Sequence, residues 1–206
     1  MFDISAVILA AGTSSRMGET KQLMKLGDAY ILEKVIHKCL SFPFTEIITI
    51  IGHDSEDITT KIQIHDSRFK WILNKEFKAG MSTSFHTALL HIKKSSSFMV
   101  FLGDQPFIKE STIQSIVNEG IVQMRTKKTP FVIQPCYQGR RSHPVFFGFH
   151  QKMDFSSITD DRGARDVIKQ LKSRIDIEVN DDPYLFFDID TQADYEKAAA
   201  IAKDFQ

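Results

Sequence analysis

Short, almost unbroken aliphatic runs, set apart by segments of helical period, constrain this chain more than any other feature. Ile4-Ser5-Ala6-Val7-Ile8-Leu9 shows no in-out alternation. A strand with one solvated face alternates apolar and polar residues, whereas a strand covered on both faces does not. Glu46-Ile47-Ile48-Thr49-Ile50-Ile51 has the same character. Between them Leu32, Val35, Ile36, Cys39 and Leu40 recur at i, i+3, i+4, i+7 and i+8, one face of a helix. The sum is a β–loop–α–β unit at the spacing of a parallel crossover.

The alternation continues along the chain. Strands are expected at Phe69 to Leu73, Phe98 to Leu102, Phe131 to Ile133, Pro144 to Phe147, Ile175 to Val179 and Leu185 to Phe187. Helical spacing joins Met81, Phe85, Ala88, Leu89 and Ile92. It also joins Ile113, Ile116, Val117, Ile121 and Met124, and then Ala164, Val167, Ile168 and Leu171. Thr191-Gln192-Ala193-Asp194 carries a T-x-x-D cap that opens a C-terminal helix. These elements predict an α/β chain of three layers with a mostly parallel sheet, as a single domain over residues 1–206. The 17 phenylalanines and Trp71 follow the apolar periodicities and are read as core, and His86 and His91 as structural.

Charge and cysteine content narrow the function classes. Lys plus Arg and Asp plus Glu both number 26, so the formal net charge is zero. That balance argues against a nucleic-acid partner held by bulk phosphate neutralisation, though a local cationic pocket for one small polyphosphate is compatible with it. The apolar run Ala6 to Ala11 falls far short of the ~18 residues of a membrane span, and Asp3 ahead of it is unlike a secretory leader. Cys39 and Cys136 are far apart, and no C-x-x-C or H-E-x-x-H spacing occurs. The expectation is a soluble, cytoplasmic chain with no membrane partner.

In open parallel sheets, ligands bind beyond the carboxyl ends of the strands. The first strand leaves through Leu9-Ala10-Ala11-Gly12-Thr13-Ser14-Ser15-Arg16-Met17-Gly18. Small residues let backbone N–H groups approach a phosphate. Arg16 adds a forked cation, and Lys21 lies close enough in sequence to return to the same ligand. This is neither G-x-G-x-x-G nor a Walker A loop. Asp104 and Asp190 each follow an apolar segment, and Asp188 competes with Asp190 as a metal ligand.

Leu-Ala-Ala-Gly-x-Ser-x-Arg-Met-Gly-x-x-Lys-x-Leu resembles the signature of the nucleotidyltransferases related to molybdenum cofactor biosynthesis. Gly80-Met81-Ser82-Thr83-Ser84, Gly103-Asp104-Gln105-Pro106, Arg140-Arg141-Ser142-His143-Pro144-Val145, Asp161-Arg162-Gly163-Ala164-Arg165 and Asp188-Ile189-Asp190-Thr191 are similar to further segments of that family, in order along the chain. The resemblance implies a Rossmann-like nucleotidyltransferase fold. Guanylyl-transferring members tend to read Leu-Ala-Gly-Gly, so Leu9-Ala10-Ala11-Gly12 is similar to the cytidylyl-transferring branch. The implied reaction moves CMP from CTP to the terminal phosphate of molybdopterin-bound molybdenum cofactor and expels pyrophosphate. The product would serve xanthine-dehydrogenase-type hydroxylases, some of them in purine catabolism, with possible transient contact with such a hydroxylase. Ser142 departs from the Gly usual before His-Pro and places a side chain near the expected acceptor pocket.

The resemblance implies these roles. Arg16, Lys21 and Asp104 are catalytic. Leu9, Ala10, Ala11, Gly12, Ser14, Ser15, Gly80, Ser82 and Ser84 bind nucleotide. Arg140, Arg141, His143 and Arg165 bind the acceptor, and Asp104 with Asp190 holds Mg²⁺. Two rival readings share these residues: a transferase for another small phosphate such as a sugar or polyol phosphate, and a carrier of finished cofactor without chemistry of its own.

Overall fold

The computed structural model describes residues 3–14, 17–93, 95–158 and 163–203. In chain order the elements are β1 (Ile4–Leu9), a 3-10 turn at Lys21–Leu23, β2 (Lys25–Leu26), β3 (Ala29–Tyr30), α1 (Ile31–Leu40), β4 (Glu46–Ile51) and α2 (Ser55–Lys61). Then come β5 (Phe69–Leu73), α3 (Met81–His91), β6 (Ser97–Leu102), α4 (Glu110–Thr126), β7 (Phe131–Tyr137), β8 (Arg140–Arg141) and β9 (Val145–Gly148). The chain closes with α5 (Arg165–Gln170), β10 (Arg174–Glu178) and α6 (Gln192–Lys203). The main sheet runs β10-β7-β9-β6-β1-β4-β5, with β8 paired to β7. Pairings β6–β1, β1–β4, β4–β5 and β10–β7 are parallel, and β9 runs antiparallel to both its neighbours.

The aliphatic runs form the centre of this sheet because both faces are covered. From β1, Ile4, Ala6 and Ile8 face a cluster with Leu32, Val35 and Ile36 of α1, Ile58 of α2 and Ile113, Ile116 and Val117 of α4. The alternate residues Val7 and Leu9 face Phe85 and Ala88 of α3 and Val167 of α5. Each such fully buried aliphatic side chain stabilises the fold by ~1.5–3 kcal/mol. Phe98 and Phe147 are register partners across the antiparallel β6–β9 pair, and their rings stack at 4.8 Å. The β2–β3 ribbon lies on α6, where Leu26, Ile31, Ile189, Ala198 and Ala202 form a third small cluster.

The structure departs from the sequence-based expectation at several places, among them the two-residue strand β8. Leu185 to Phe187 is a turn, not a strand: the Leu185 N–H bonds to the Asp182 carbonyl and the Phe187 N–H to that of Tyr184. Its apolar residues are buried by neighbouring clusters rather than by strand pairing. The short helix α2 and the β2–β3 ribbon were not expected. No helix among the described residues is long and apolar enough to cross a membrane. Cys39 and Cys136 are free and buried.

Candidate active site

Register brings the ends of β1, β4 and β6 to one edge, since Leu9 lies opposite both Ile50 and Leu102. Ala10 to Ser14 and Gly103 to Pro106 therefore emerge side by side. Gly103 permits this: a Cβ there would lie 2.8 Å from the Ala10 Cβ and 3.2 Å from the Leu9 carbonyl oxygen. Its N–H donates to that carbonyl at 2.9 Å. Gly12 has the opposite environment, because a Cβ there would meet nothing within 4 Å. Its backbone faces open space at the sheet edge.

Asp104 leaves β6 at this edge. The segment before α6 returns to it, and the Ile189 N–H donates to the Asp104 carbonyl at 3.1 Å. Lys21, on the 3-10 turn, joins the two acidic residues: its Nζ lies 2.7 Å from Asp104 Oδ2 and 2.9 Å from Asp190 Oδ1. Burial alone would lower the Lys21 pKa, but the charges and hydrogen bonds of Asp104 and Asp190 carry it above the ordinary lysine value. The ammonium is therefore charged at any physiological pH. Asp104 Oδ1 is buried without a protein hydrogen-bond partner among the described residues.

Asp188 is turned to a different partner, the Gln105 amide, whose Nε2 donates to Asp188 Oδ1 at 2.5 Å. Burial and then the nearby Asp104 charge push the Asp188 pKa above the ordinary carboxylate value. Lys21 thus selects Asp190, the residue directly before Thr191, as the partner of Asp104. Thr191 and Asp194 close the expected helix cap, with the Thr191 hydroxyl donating to Asp194 at 2.7 Å and the Asp194 N–H returning to the hydroxyl at 3.2 Å.

The donor set suits magnesium. Asp104 and Asp190 supply hard oxygens around one point, and the orphaned Asp104 Oδ1 is available for coordination. Mg²⁺ typically takes one or two protein carboxylates and completes its six ligands with phosphate oxygens and water.

Residues that sequence reasoning missed shape the surroundings. Gln22 is only 2 % exposed. Its Nε2 donates to the carbonyls of Ala10 at 2.9 Å and Gly12 at 3.1 Å, and its Oε1 accepts from the Ser14 hydroxyl at 3.2 Å. Ser14 has φ 53°, and its Oγ accepts the Lys21 N–H at 3.1 Å. Buried Asn74 donates to the hydroxyls of Thr83 and Ser84 at 2.9 and 3.0 Å, fixing the first turn of α3. Buried Asp182 accepts from the Lys109 N–H and the Thr112 hydroxyl, anchoring the chain that leads to Asp190. These polar side chains bond largely to backbone or to single hydroxyls, so no spacing in the sequence marks them.

Gly80 precedes α3 at φ 105° and ψ 175°, a conformation essentially restricted to glycine. Ser82 and Ser84 are buried in the first turn, and neither caps it by its side chain. Gly163 lies against Met81, its ideal Cβ 3.3 Å from the thioether sulfur, so the approach to α5 meets the start of α3. Ser15 and Arg16 fall outside the described residues, as do Asp161 and Arg162.

The expected acceptor residues are arranged unevenly. Burial, and next the Arg165 charge, hold the His143 imidazole down to about 4. The ring is neutral at neutral pH and offers a hydrogen bond, not a charge, to an anion. Arg141 makes a two-bond pair with Asp176 of β10, both at 2.7 Å, and Arg140 lies 4.5 Å over the Phe186 ring. These contacts tie Arg141 to β10 and Arg140 to the segment that leads to Asp190. Ser142 also differs from expectation: it is buried, and its hydroxyl donates to the Leu185 carbonyl at 2.6 Å. It ties two chain segments together.

Fold and site together define an α/β protein whose Lys21, Asp104 and Asp190 meet at the carboxyl ends of its strands. The chain belongs to the MobA-like NTP transferase domain family, whose model matches residues 6–175. It is 30% identical over 210 residues to a probable molybdenum cofactor guanylyltransferase of Natranaerobius thermophilus, covering 95% of each chain. Its fold is similar to the crystal structure of a Mycobacterium tuberculosis Rv0371c homolog from Mycobacterium sp. strain JC1. That likeness has a TM-score of 0.79 at 24% identity and covers 98% of each chain. The molybdopterin-guanine dinucleotide biosynthesis protein A of Archaeoglobus fulgidus superposes with a TM-score of 0.71 at 18% identity, over 97% of this chain and 99% of that one.

Proposed function

We propose that this nucleotidyltransferase uses Mg²⁺ to move CMP from CTP to the terminal phosphate of molybdopterin-bound molybdenum cofactor, forming the cytosine dinucleotide and pyrophosphate for a molybdenum hydroxylase. One observation carries the reading: Lys21 joins Asp104 and Asp190 beside a small-residue loop whose Gly12 faces open space. A pure carrier of finished cofactor has no need of such a metal-and-triphosphate arrangement.

The chemistry asks for little from a general base. A phosphate monoester is largely dianionic at neutral pH, with a second pKa of about 6. Its oxygen attacks the α-phosphorus, the α–β bridging bond breaks, and pyrophosphate leaves. The protein supplies alignment and charge neutralisation. Lys21 offers its ammonium to the β- and γ-phosphates, joined by backbone N–H groups of the 10–14 loop. Asp104 and Asp190 would hold Mg²⁺, which when bound draws charge from the phosphate oxygens and makes phosphorus more electrophilic. The start of α3, fixed by Gly80 and Asn74, would take the base, and Ser82 and Ser84 lie in its first turn. His143, as a neutral donor, and Arg165, as a cation, would orient the acceptor.

Ala11, where guanylyl-transferring relatives tend to carry glycine, supports cytosine over guanine: it is buried with Phe85 and Ala88 of α3, the helix whose start would meet the base, and its methyl would hold that helix off the loop and leave less room for a purine. The relative named as a guanylyltransferase favours GTP as the second reading while supporting the same acceptor. Mass spectrometry of the product made from CTP or GTP with molybdopterin-loaded acceptor separates them. The cytosine dinucleotide is expected; a guanine dinucleotide would replace the nucleotide assignment, and product formed only with sugar or polyol phosphates would replace the acceptor.

A further inference from the structure

The loop after β1 is held from beneath by one buried side chain. Gln22 draws the carbonyls of Ala10 and Gly12 towards itself with the two hydrogens of its amide. A trans peptide unit is planar, so its C=O and the following N–H point in opposite directions. Pinning the Ala10 and Gly12 oxygens inward therefore turns the N–H groups of Ala11 and Thr13 outward. Neither of these N–H groups donates to a protein acceptor among the described residues. Between them lies Gly12, exposed and with no atom within 4 Å of where a Cβ would be. Ser14 completes the frame: its hydroxyl donates to Gln22 Oε1, and its oxygen accepts the Lys21 N–H.

We infer that Gln22 is a positioning residue, which shapes residues 10–14 so that the Ala11 and Thr13 N–H groups meet the triphosphate and which couples that cradle to the turn carrying Lys21. The inference rests on the nucleotide-site reading above and deepens it by naming the two donors and the residue that aims them. Gln22 has its own amide fully occupied on the protein side and does not touch the ligand. Its effect comes from preorganisation: donors already aimed at the anion need no ordering when it binds. Two neutral hydrogen bonds, each worth ~0.5–1.5 kcal/mol net, correspond to about a 5- to 150-fold change in dissociation constant.

The test is a titration of the isotope-labelled chain with inorganic tripolyphosphate and Mg²⁺, followed by amide NMR. In the unaltered chain the largest shifts are expected at Ala11 and Thr13. Gln22→Met keeps the side-chain length but has no amide; its dissociation constant should rise about 5- to 150-fold, with the two local shifts lost and the remaining amide spectrum retained. Gln22→Glu keeps the acceptor for Ser14 but sets carboxylate oxygens against two carbonyls, and should lose affinity likewise. A merely structural glutamine would lower the melting temperature while leaving the dissociation constant of the folded protein unchanged, and that result overturns the inference. If both variants fail to fold, the mapping on the unaltered chain decides, because binding with shifts elsewhere than Ala11 and Thr13 also overturns it. No tripolyphosphate binding by the unaltered chain would remove the nucleotide-site reading itself and this inference with it.

Discussion

Adding one methyl group at Gly12 separates a role in binding from a role in folding. The ideal Cβ position has no neighbour within 4 Å, and the backbone there lies outside the left-handed region. Gly12→Ala should therefore leave the fold intact. Restricting the unfolded chain even favours it by ~0.4–1 kcal/mol, a rise of about 1–4 °C in melting temperature for a chain of this size. Activity should move the other way. A methyl above the loop keeps a phosphate from the Ala11 and Thr13 N–H groups, and losing one well-placed donor to developing charge costs about 2.7–4 kcal/mol, roughly 100- to 1000-fold in rate. The contrast is Gly103→Ala, whose methyl would lie 2.8 Å from the Ala10 Cβ and 3.2 Å from a backbone oxygen. Overpacking of this kind costs about 1–3 kcal/mol, so this variant should melt lower by roughly 2–12 °C. Pyrophosphate release under kcat/KM conditions and scanning calorimetry on both variants provide the readouts. Wild-type kcat/KM in Gly12→Ala would refute the argument that open space above Gly12 is where phosphate lies.

Two further variants test the electrostatics. Lys21→Met leaves Asp104 and Asp190 facing each other in a partly buried site, which should destabilise the protein by about 1–3 kcal/mol. Added Mg²⁺ should restore the melting temperature in calorimetry but not the rate of pyrophosphate release. His143 supplies a pH test: the folded state holds the ring at about 4, whereas an unfolded histidine titrates near 6.5. The unfolded chain therefore takes up the proton first, and stability declines as pH falls from about 6.5 towards 4, by up to ~3 kcal/mol. Urea unfolding across this range should show a shallower slope in His143→Gln; equal slopes would place the effect on other groups.

Much of the fold could be read from the sequence because β1, β4 and β6 are covered on both faces, leaving aliphatic runs that only a central strand accommodates. By contrast, α2 buries a single residue, Ile58, and has no apolar stripe to read. Leu185 to Phe187 misled because burial of a turn and burial of a strand leave the same apolar signature. Pro183 beside Asp182 marked the turn, and the Asp182 carboxyl accepts the Tyr184 N–H. Asp104 stood out because it follows a buried strand of the parallel sheet, Lys21 because of its nearness to Arg16, and Asp190 because it follows an apolar run, although that run is a turn. The different partners of Asp188 and Asp190, Gln105 for one and Lys21 for the other, needed three dimensions. Gln22 and Asn74 could not be found by pattern, because a buried amide bonded to loop carbonyls or single hydroxyls looks in sequence like any surface amide. For Arg141 the sequence could not show its partner, the Asp176 carboxylate on β10.

The proposed transfer requires Asp104 to share one site with Lys21, Asp190 and the 10–14 loop. Pyrophosphate released from CTP and a phosphate acceptor by Asp104→Ala, against the unaltered enzyme in the same Mg²⁺ buffer, tests this most directly. A loss of about 1000-fold or more, with the melting temperature within a few degrees, is the expected result. Turnover at the unaltered rate in a folded Asp104→Ala protein would contradict it.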